Sequence, residues 1–288
     1  MTTFNEQTPA WFDQAVGCPA RSHFATSEGV AVHYLAWNEE ERHKPALLFA
    51  HGYRGHAHWW DFIAPFFREN YRVFALDFSG MGDSAWRTQY SAEVFVEDLR
   101  AVIEHADMGT ATLVGHSYGG TRVLRACSVC PELIHRAVVV DSYVAFIDTD
   151  TPPVQRQYGG NVYPDAATAM QRFRLMPEQP AHQWAREYIA RQSLLETEQG
   201  WTWKFDPDLP FALFERDGES VLQQIKVPLD FVCGELSQVV SSARAERIGA
   251  VLATLPNARG PVVMPQGHHH LMMDQPLGLI STLRALLS

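Results

Sequence analysis

A serine stands between two glycines in the segment Gly115-His116-Ser117-Tyr118-Gly119, which matches the pattern G-x-S-x-G. The pattern lies between an apolar run, ATLVGH, and a segment of helical character, YGGTRVLRACSV. A turn that links a strand to a helix this tightly forces its central residue into a strained conformation, and small neighbours let the strand and the helix approach. We therefore predict that the Ser117 hydroxyl stands above a sheet edge, where it could act as a nucleophile.

A second segment, His51-Gly52-Tyr53-Arg54-Gly55, directly follows the apolar run ALLFA. A turn there can direct the amide of Tyr53 to the space above Ser117, while the amide of Tyr118 points in from the start of the following helix. Two backbone N–H groups that converge on one oxygen at ~3 Å form an oxyanion hole. The sequence thus predicts that Tyr53 and Tyr118 stabilise negative charge through their amides.

A serine hydroxyl is a poor nucleophile at neutral pH, so a base is required. The run Gly267-His268-His269-His270 supplies three candidates near the end of the chain. A metal site in this run is not expected, because consecutive side chains of an extended loop point in different directions and no cysteine or carboxylate pair accompanies them. We predict neither a metal nor another cofactor.

The segments that must position these residues alternate between short apolar runs and helical patterns. Continuous runs rich in Val, Leu and Phe suit strands that are covered on both faces, as in a parallel sheet. The predicted strands cover residues 30–37, 46–52, 72–80, 111–117, 136–142 and 227–235. The helical patterns cover residues 57–69, 91–107, 118–130 and 240–254. This alternation predicts an open, mostly parallel α/β sheet flanked by helices.

The alternation stops near residue 147 and resumes near residue 227. The segment between them is rich in proline and contains Trp184, Trp201 and Trp203. A mostly helical insertion between two strands of one sheet usually covers an apolar pocket. We predict a core formed by residues 1–146 and 226–288, and a mainly helical cap over residues 147–225 that is inserted after the sixth strand.

The order of these motifs resembles the α/β-hydrolase fold superfamily over almost the whole chain beyond residue 25. The resemblance rests on the strand followed by His51-Gly52, the Asp- and Gly-containing segment 77–84, the G-x-S-x-G segment, the cap and a late histidine. It implies an eight-stranded type of sheet and a triad of serine, histidine and a carboxylate that works without a cofactor.

In that superfamily the base follows a glycine, and precedes an acidic residue by five positions and a proline by seven. Gly267 favours His268 by the first criterion. Asp274 and Pro276 favour His269 by the other two. We therefore predict His269 as the base and keep His268 as the alternative.

The superfamily commonly places its acid three residues after a glycine that ends the first strand beyond the cap. Here Gly234 is followed at that distance by Ser237. A known variation places the carboxylate after the preceding strand, where the run RAVVVD ends in Asp141. We predict Asp141 as the acid that orients the base, with Glu235 as the alternative.

A serine nucleophile disfavours the haloalkane dehalogenases and epoxide hydrolases, which the superfamily builds with an aspartate at that position. The expected reaction is hydrolysis of a small or medium apolar or aromatic ester through an acyl-enzyme. Aromatic residues near the predicted site favour such a substrate, and Arg54 could bind a substrate carboxylate. The predicted pocket residues are Arg54, Trp59, Trp60 and Trp184.

Three other functions stay open at this point. One is hydrolysis of C–C bonds in ring-cleavage products. Another is a cofactor-free dioxygenase of heteroaromatic rings, in which the late histidine and Asp141 act and Ser117 only binds the substrate. The third is a non-catalytic role in ligand binding, because a fold alone does not determine function.

The charge of the chain excludes several partners. Its 288 residues include 23 basic and 33 acidic side chains, for a formal net charge of −10, which disfavours nucleic acid and anionic lipid. No apolar run approaches the ~20 residues of a membrane helix, and the start of the chain lacks a signal-peptide pattern. With four scattered cysteines, these features predict a cytoplasmic protein that acts on a small molecule. A tryptophan-rich cap could also mediate a homodimer.

Overall fold

The computed structural model describes residues 7–150, 160–210 and 217–288. The strands in this part of the chain are β1 (Arg21–Ser27), β2 (Val30–Trp37), β3 (Ala46–Ala50), β4 (Arg72–Leu76), β5 (Ala111–His116), β6 (Ile134–Val140), β7 (Leu194–Thr197), β8 (Gly200–Trp203), β9 (Leu229–Gly234) and β10 (Ala258–Met264). The α-helices are α1 (Ala10–Val16), α2 (Ala92–His105), α3 (Tyr118–Val129), α4 (Ala166–Met170), α5 (Gln183–Gln192), α6 (Gly218–Gln224), α7 (Ser242–Leu252), α8 (Leu271–Asp274) and α9 (Pro276–Leu287). Short 3₁₀ helices cover Ala57–Trp60, Ala64–Phe67 and Pro131–Leu133.

Eight of the described strands form one sheet in the order β1-β2-β4-β3-β5-β6-β9-β10. The pairs β1–β2 and β2–β4 are antiparallel, and the other neighbours are parallel. Parallel neighbours require crossover connections, and these place helices on the faces of the sheet. The prediction of a mostly parallel, eight-stranded α/β sheet is confirmed.

The central strands are buried on both faces. In β3, Leu48 lies in the apolar layer that also contains residues of α2, α3 and α7. Leu47 and Phe49 lie in the opposite layer, together with residues of α1 and α9. Since successive side chains of a strand point to opposite faces, a strand covered on both sides must be apolar at every position. This explains why the continuous apolar runs mark the central strands.

Local signals set where several helices begin and end. Ser91 caps α2, because its side chain accepts a hydrogen bond from the amide of Val94. The segment 57–69, predicted as one helical pattern, instead forms two short 3₁₀ helices. Pro65 lies at the start of the second one and lacks the amide hydrogen that a continuous α-helix would need at that point.

The chain leaves the main sheet between β6 and β9, where the cap is predicted. The described residues of this insertion form α4, α5, the antiparallel hairpin β7–β8 and α6, so strands as well as helices contribute to it. On α6, Val221 and Leu222 pack into the same apolar layer as α3. A β-bridge between Met81 and Phe205 joins the insertion to the loop after β4. The insertion after the sixth strand is therefore present, and its division from the core at residues 147 and 225 stays a prediction.

Two further features bear on the predicted environment of the protein. None of the described helices combines the length and the apolar character needed to cross a bilayer. Cys18, Cys127, Cys130 and Cys233 are free thiols. Burial raises the pKa of the Cys127 thiol in α3, which keeps that sulfur in its unreactive protonated form.

Candidate active site

Ser117 lies in the turn between β5 and α3 with φ = 53° and ψ = −119°. A positive φ is unusual for a residue with a side chain, and it costs on the order of 1–3 kcal/mol that the surrounding packing must offset. The amide of Ser117 donates a hydrogen bond to the carbonyl oxygen of Val140 at 2.9 Å, which ties the turn to β6. The strained turn therefore holds the hydroxyl at the carboxyl edge of the parallel strands.

The start of α3 packs directly against β3 and the end of β6. A Cβ atom on Gly119 would lie 2.3 Å from the carbonyl oxygen of His51 and 2.6 Å from that of Ala50. A Cβ atom on Gly120 would lie 1.9 Å from Ser142 Oγ. These distances are far inside van der Waals contact, so only glycine permits this approach.

Three side chains form a hydrogen-bonded chain at this edge of the sheet. Ser117 Oγ lies 2.9 Å from His269 Nε2, and His269 Nδ1 lies 2.8 Å from Asp141 Oδ1. A carboxylate can only accept hydrogen bonds, so the proton of the neutral imidazole resides on Nδ1 and Nε2 accepts from the hydroxyl. The structure brings together the residues predicted as nucleophile, base and acid.

The carboxylate of Asp141 is fully buried and receives two further hydrogen bonds. The amide of Gly234 donates to Oδ2 at 2.7 Å, and Ser237 Oγ donates to Oδ1 at 2.6 Å. Ser237 Oγ in turn accepts hydrogen bonds from the amides of Val239 and Val240. A buried carboxylate needs such donors to offset its lost hydration. Ser237 therefore supports the carboxylate of Asp141, a role that the sequence does not predict.

The two alternative residues have other partners. His268 Nδ1 lies 2.7 Å from Asp274 Oδ2, and the amide of His268 donates to the same oxygen at 2.9 Å. Glu235 is exposed, and its carboxylate accepts a hydrogen bond from the amide of Gln266. The hydrogen bonds of both side chains in the described structure lead away from Ser117.

The turn after β3 lies close to Ser117, the predicted nucleophile. A Cβ atom on Gly52 would lie 3.3 Å from Ser117 Cβ and 3.1 Å from His116 Nδ1. The next amide along the chain is that of Tyr53, and Tyr118 is the first residue of α3. Amides in the first turn of a helix have no acceptor within the helix, and the helix dipole favours negative charge there. An oxyanion hole formed by the amides of Tyr53 and Tyr118 is compatible with this placement and stays a prediction.

Four further histidine side chains are buried near the hydrogen-bonded residues Ser117, His269 and Asp141. They belong to His51, His56, His116 and His270. Burial lowers the pKa of each, because the charged form loses its hydration, and the charge of His269 lowers the pKa of His116 and His270 further. His116 Nε2 donates to the carbonyl oxygen of His269 at 2.9 Å, and the amide of His270 donates to Gln179 Oε1 at 2.8 Å. These contacts hold the peptide group between His269 and His270 in place.

Mild acid is expected to destabilise the fold through these imidazoles. The unfolded chain binds protons near pH 6.5, whereas the buried imidazoles stay neutral in the folded state at that pH. Their stabilising effect is therefore complete above about pH 6.5 and declines as the pH falls, by up to ~1.4 kcal/mol per pH unit for each imidazole. His58 acts in the opposite direction: burial lowers its pKa, but the hydrogen bond and charge of Asp61 outweigh burial and raise it.

Urea unfolding between pH 7.5 and pH 5.5 measures this effect. The free energy of unfolding should fall as the pH is lowered. His56→Gln should reduce the slope of this free energy against pH by the equivalent of about one proton, because it removes one imidazole whose pKa is lowered in the folded state. Glutamine can still contact Ser193 Oγ, which lies 2.8 Å from His56 Nε2. A free energy that is constant or rises toward pH 5.5 would contradict the prediction.

A cavity of about 830 Å³ lies above Ser117, between the sheet edge and the described part of the insertion after β6. Ser117 and His269 both contribute to its wall, so the reacting groups face the cavity. Arg54 and Trp59, two of the predicted pocket residues, also line it. The insertion contributes residues that the sequence does not single out, including Arg172, Phe173, Arg174, Leu175, Lys204 and Phe205. A volume of this size suits a small-molecule substrate.

Trp60 and Trp184, which are also predicted to line the pocket, lie elsewhere. Trp60 is fully buried, and its ring centroid lies 4.7 Å from that of Phe49 in β3. Trp184 packs from α5 against Phe12 of α1, at 4.5 Å between ring centroids. Both side chains belong to one apolar layer of the core. A large aromatic ring on a helix can be stabilised by packing in the core as well as by lining a pocket, so the residue type alone does not distinguish these two positions.

A polar cluster beside the site organises the loop after β4. Asp77 Oδ2 lies 2.7 Å from His33 Nδ1 and accepts a hydrogen bond from the amide of Asp83 at 2.8 Å. Burial acts to raise the pKa of Asp77, but the hydrogen bond and charge of His33 outweigh it and hold this pKa well below its usual range. Asp83 also forms an ion pair with Lys204 at 2.6 Å, which links the loop to the insertion after β6.

The chain is similar to known proteins over most of its length. A sequence model of the alpha/beta hydrolase family matches residues 47–282. Esterase Rv0045c of Mycobacterium tuberculosis is 25% identical over 267 residues, which cover 89% of this chain and 86% of that protein. A protein of Haemophilus influenzae whose name includes esterase/lipase is 33% identical over 97 residues, but the match spans only 34% of each chain.

The fold is also found among solved structures. A thioesterase domain from the curacin biosynthetic pathway has a TM-score of 0.78 at 22% identity, over 93% of this chain and 99% of that domain. The match to the family model extends from β3 through the turn at Ser117 to the late histidines, and therefore includes every element that positions the site. The chain belongs to the alpha/beta hydrolase family.

Proposed function

We propose that the protein is a serine hydrolase that cleaves a small or medium apolar or aromatic ester through an acyl-enzyme. The observation that supports this most directly is the continuous hydrogen bonding from Ser117 through His269 to Asp141 at the floor of the cavity. The esterase names of two relatives point to the same class of reaction.

The proposed reaction begins when Ser117 Oγ attacks the ester carbonyl and His269 Nε2 takes the hydroxyl proton. The amides of Tyr53 and Tyr118 would hold the developing oxyanion. As the alcohol leaves, it takes that proton from His269 and the acyl group stays on Ser117. A water molecule then gives a proton to His269 Nε2 as its oxygen attacks the acyl carbon. The bond to Ser117 Oγ breaks, Ser117 Oγ takes the proton back from His269, and the acid is released. Asp141 keeps the proton of the neutral imidazole on Nδ1 and stabilises the imidazolium in both steps.

The buried surroundings of His269 support this cycle. Its ring lies against the rings of His116 and His270, at 4.8 Å and 4.6 Å between centroids. Both neighbours have lowered pKa values because they are buried, so they stay neutral and do not repel the imidazolium that forms on His269. The hydrogen bond between Ser117 and His269 also favours a nucleophilic serine over the binding role that the dioxygenase alternative gives it.

The test is covalent labelling combined with turnover. A fluorophosphonate should attach to one site, on the peptide that contains Ser117, and Ser117→Ala should abolish the adduct in intact-mass spectra. The wild type should hydrolyse p-nitrophenyl esters from acetate to octanoate, with an initial burst of p-nitrophenol if the acyl-enzyme accumulates. Ser142→Ala is the matched control, since Ser142 is buried beside α3 and should not affect labelling. Labelling that persists in Ser117→Ala, or a wild type that neither labels nor hydrolyses any ester, would overturn the proposal.

A further inference from the structure

The wall of the cavity is positively charged, although the chain as a whole carries a formal net charge of −10. Its cationic side chains are those of Arg54, Arg172, Arg174 and Lys204. Among the wall residues that the structure describes there is no aspartate or glutamate. A cleft with one sign of charge and low-dielectric walls concentrates ligands of the opposite sign. The distribution therefore favours an anion within the cavity.

Arg54 is the cation of the wall that adjoins a predicted oxyanion-hole residue in the chain. It directly follows Tyr53 and has φ = 58°, and its amide donates a hydrogen bond to Met81 Sδ at 3.2 Å. Its guanidinium carbon lies 4.3 Å from the ring centroid of Phe205 and 5.2 Å from that of Tyr53. A guanidinium stacked on aromatic rings keeps its N–H groups in its own plane, where they match the two oxygens of a carboxylate.

Two other cations of the wall, Lys204 and Arg174, hold parts of the structure together. Lys204 Nζ forms an ion pair with Asp83 at 2.6 Å. Arg174 donates hydrogen bonds to the carbonyl oxygens of Gln171 and Phe173, which close a loop of the cap. The exposed Arg172 and Arg174 add positive charge to the wall, whereas Asp83 offsets the charge of Lys204. Arg54 has the stacked geometry of a specific carboxylate site.

We propose that the substrate is a half-ester of a dicarboxylic acid, with its carboxylate bound by Arg54 and its ester carbonyl at Ser117. This inference rests on the proposed serine hydrolase function. In a half-ester the carboxylate belongs to the acyl part, and the chain length between the two carbonyl groups must match the distance from Ser117 to Arg54. The apolar side chains Phe173, Leu175 and Phe205 would contact the methylene groups and the alcohol part.

The test compares monoethyl esters of dicarboxylic acids, from succinate to suberate, with ethyl esters of the monocarboxylic acids of the same length. For the wild type, kcat/KM should be about 10- to 100-fold higher for the best half-ester than for its uncharged counterpart, as expected for a charge-assisted hydrogen bond. Arg54→Met should remove most of this ratio, mainly through a higher KM, and Arg54→Lys should retain part of it. Arg186→Met, which removes an exposed cation of α5, is the control for net charge and should leave the ratio unchanged.

Two further measurements separate this inference from the proposed function. At high ionic strength the preference should persist, because a buried ion pair is screened less than a long-range field. Calorimetric binding of monoethyl adipate to Ser117→Ala requires no turnover, and it should weaken at least about tenfold when Arg54→Met is added. Ester hydrolysis without any preference for half-esters would overturn the inference and leave the serine hydrolase intact. Binding that Arg54→Met does not weaken would also overturn it, whatever the catalytic result.

Discussion

Alanine at Ser117 or at His269 is expected to reduce kcat for an accepted ester by about 10⁶-fold, and the double variant should lose no more than either single variant. The two side chains act as one unit through the hydrogen bond of 2.9 Å between Ser117 Oγ and His269 Nε2. Without the hydroxyl there is no group to acylate, and without the imidazole the hydroxyl keeps its proton. Residual activity would come from carbonyl polarisation and substrate positioning alone.

His268→Ala is the matched control for this prediction. The two histidines are adjacent, but His268 is hydrogen-bonded to Asp274, and its loss should leave kcat within about tenfold of the wild type. Steady-state kinetics measures the effect, and circular dichroism checks that each variant is folded. If His268→Ala were the damaging substitution and His269→Ala the mild one, the base would be His268. Losses that add up in the double variant would show that Ser117 and His269 do not act as one unit.

The central strands and the turn at Ser117 are predictable because their signals are local. A strand buried on both faces must be apolar throughout, and the G-x-S-x-G turn admits glycine alone where α3 meets β3. The strand β1 lacks such a signal: its sequence, RSHFATS, is largely exposed at the edge of the sheet and is polar at most positions. An edge strand gains its stability from pairing with β2, which its own sequence does not reveal.

The site is only partly predictable because its members meet across the whole chain. Asp141 and His269 are 128 residues apart, and nothing in the neighbourhood of either one specifies the contact. Asp141 could be chosen because the C-terminal ends of parallel strands lie at one edge of a sheet, and because the chain resembles a known fold. The hydrogen bond from Ser237 Oγ to Asp141 is evident only from the structure. A serine at that position of the sequence is equally compatible with a surface turn that has no role in the site.

The residues of the cavity are only partly predictable as well, even where they are neighbours in the sequence. Trp59 and Trp60 are neighbours in one 3₁₀ helix, yet Trp59 lines the cavity and Trp60 packs against Phe49. Which side of a short helix faces the core depends on how it docks on the sheet, and the composition of the helix does not specify this. Arg172 and Arg174 are missed for a related reason, since charged residues in a cap are ordinarily solvated.

Asp141→Asn is expected to reduce kcat by about 10⁴-fold with little change in KM. Asparagine has nearly the same shape and tolerates the φ of 46° at this position, so the fold should be retained. Its carbonyl oxygen can accept the hydrogen bond from Gly234 at the Oδ2 position, which places the amide group at the Oδ1 position, toward His269 Nδ1 and Ser237 Oγ. The imidazole would then carry its proton on Nε2, where it cannot accept the proton of Ser117. Glu235→Gln is the control, and its kcat should stay within about threefold of the wild type, as for an exposed charge.

Moving the carboxylate from position 141 to position 237 tests the role of Asp141 by restoring activity rather than by removing it. Ser237 Oγ lies 2.6 Å from Asp141 Oδ1, the oxygen that contacts His269, so we expect an aspartate at position 237 to bring a carboxylate near the imidazole. Adding Ser237→Asp to Asp141→Asn should recover about 10- to 100-fold of the lost kcat, because a carboxylate again fixes the proton on Nδ1. Ser237→Asp alone should lower activity, since it buries a second negative charge beside the first. If the folded double variant is no more active than Asp141→Asn while Ser237→Asp alone is harmless, Asp141 does not act on His269 in the way proposed.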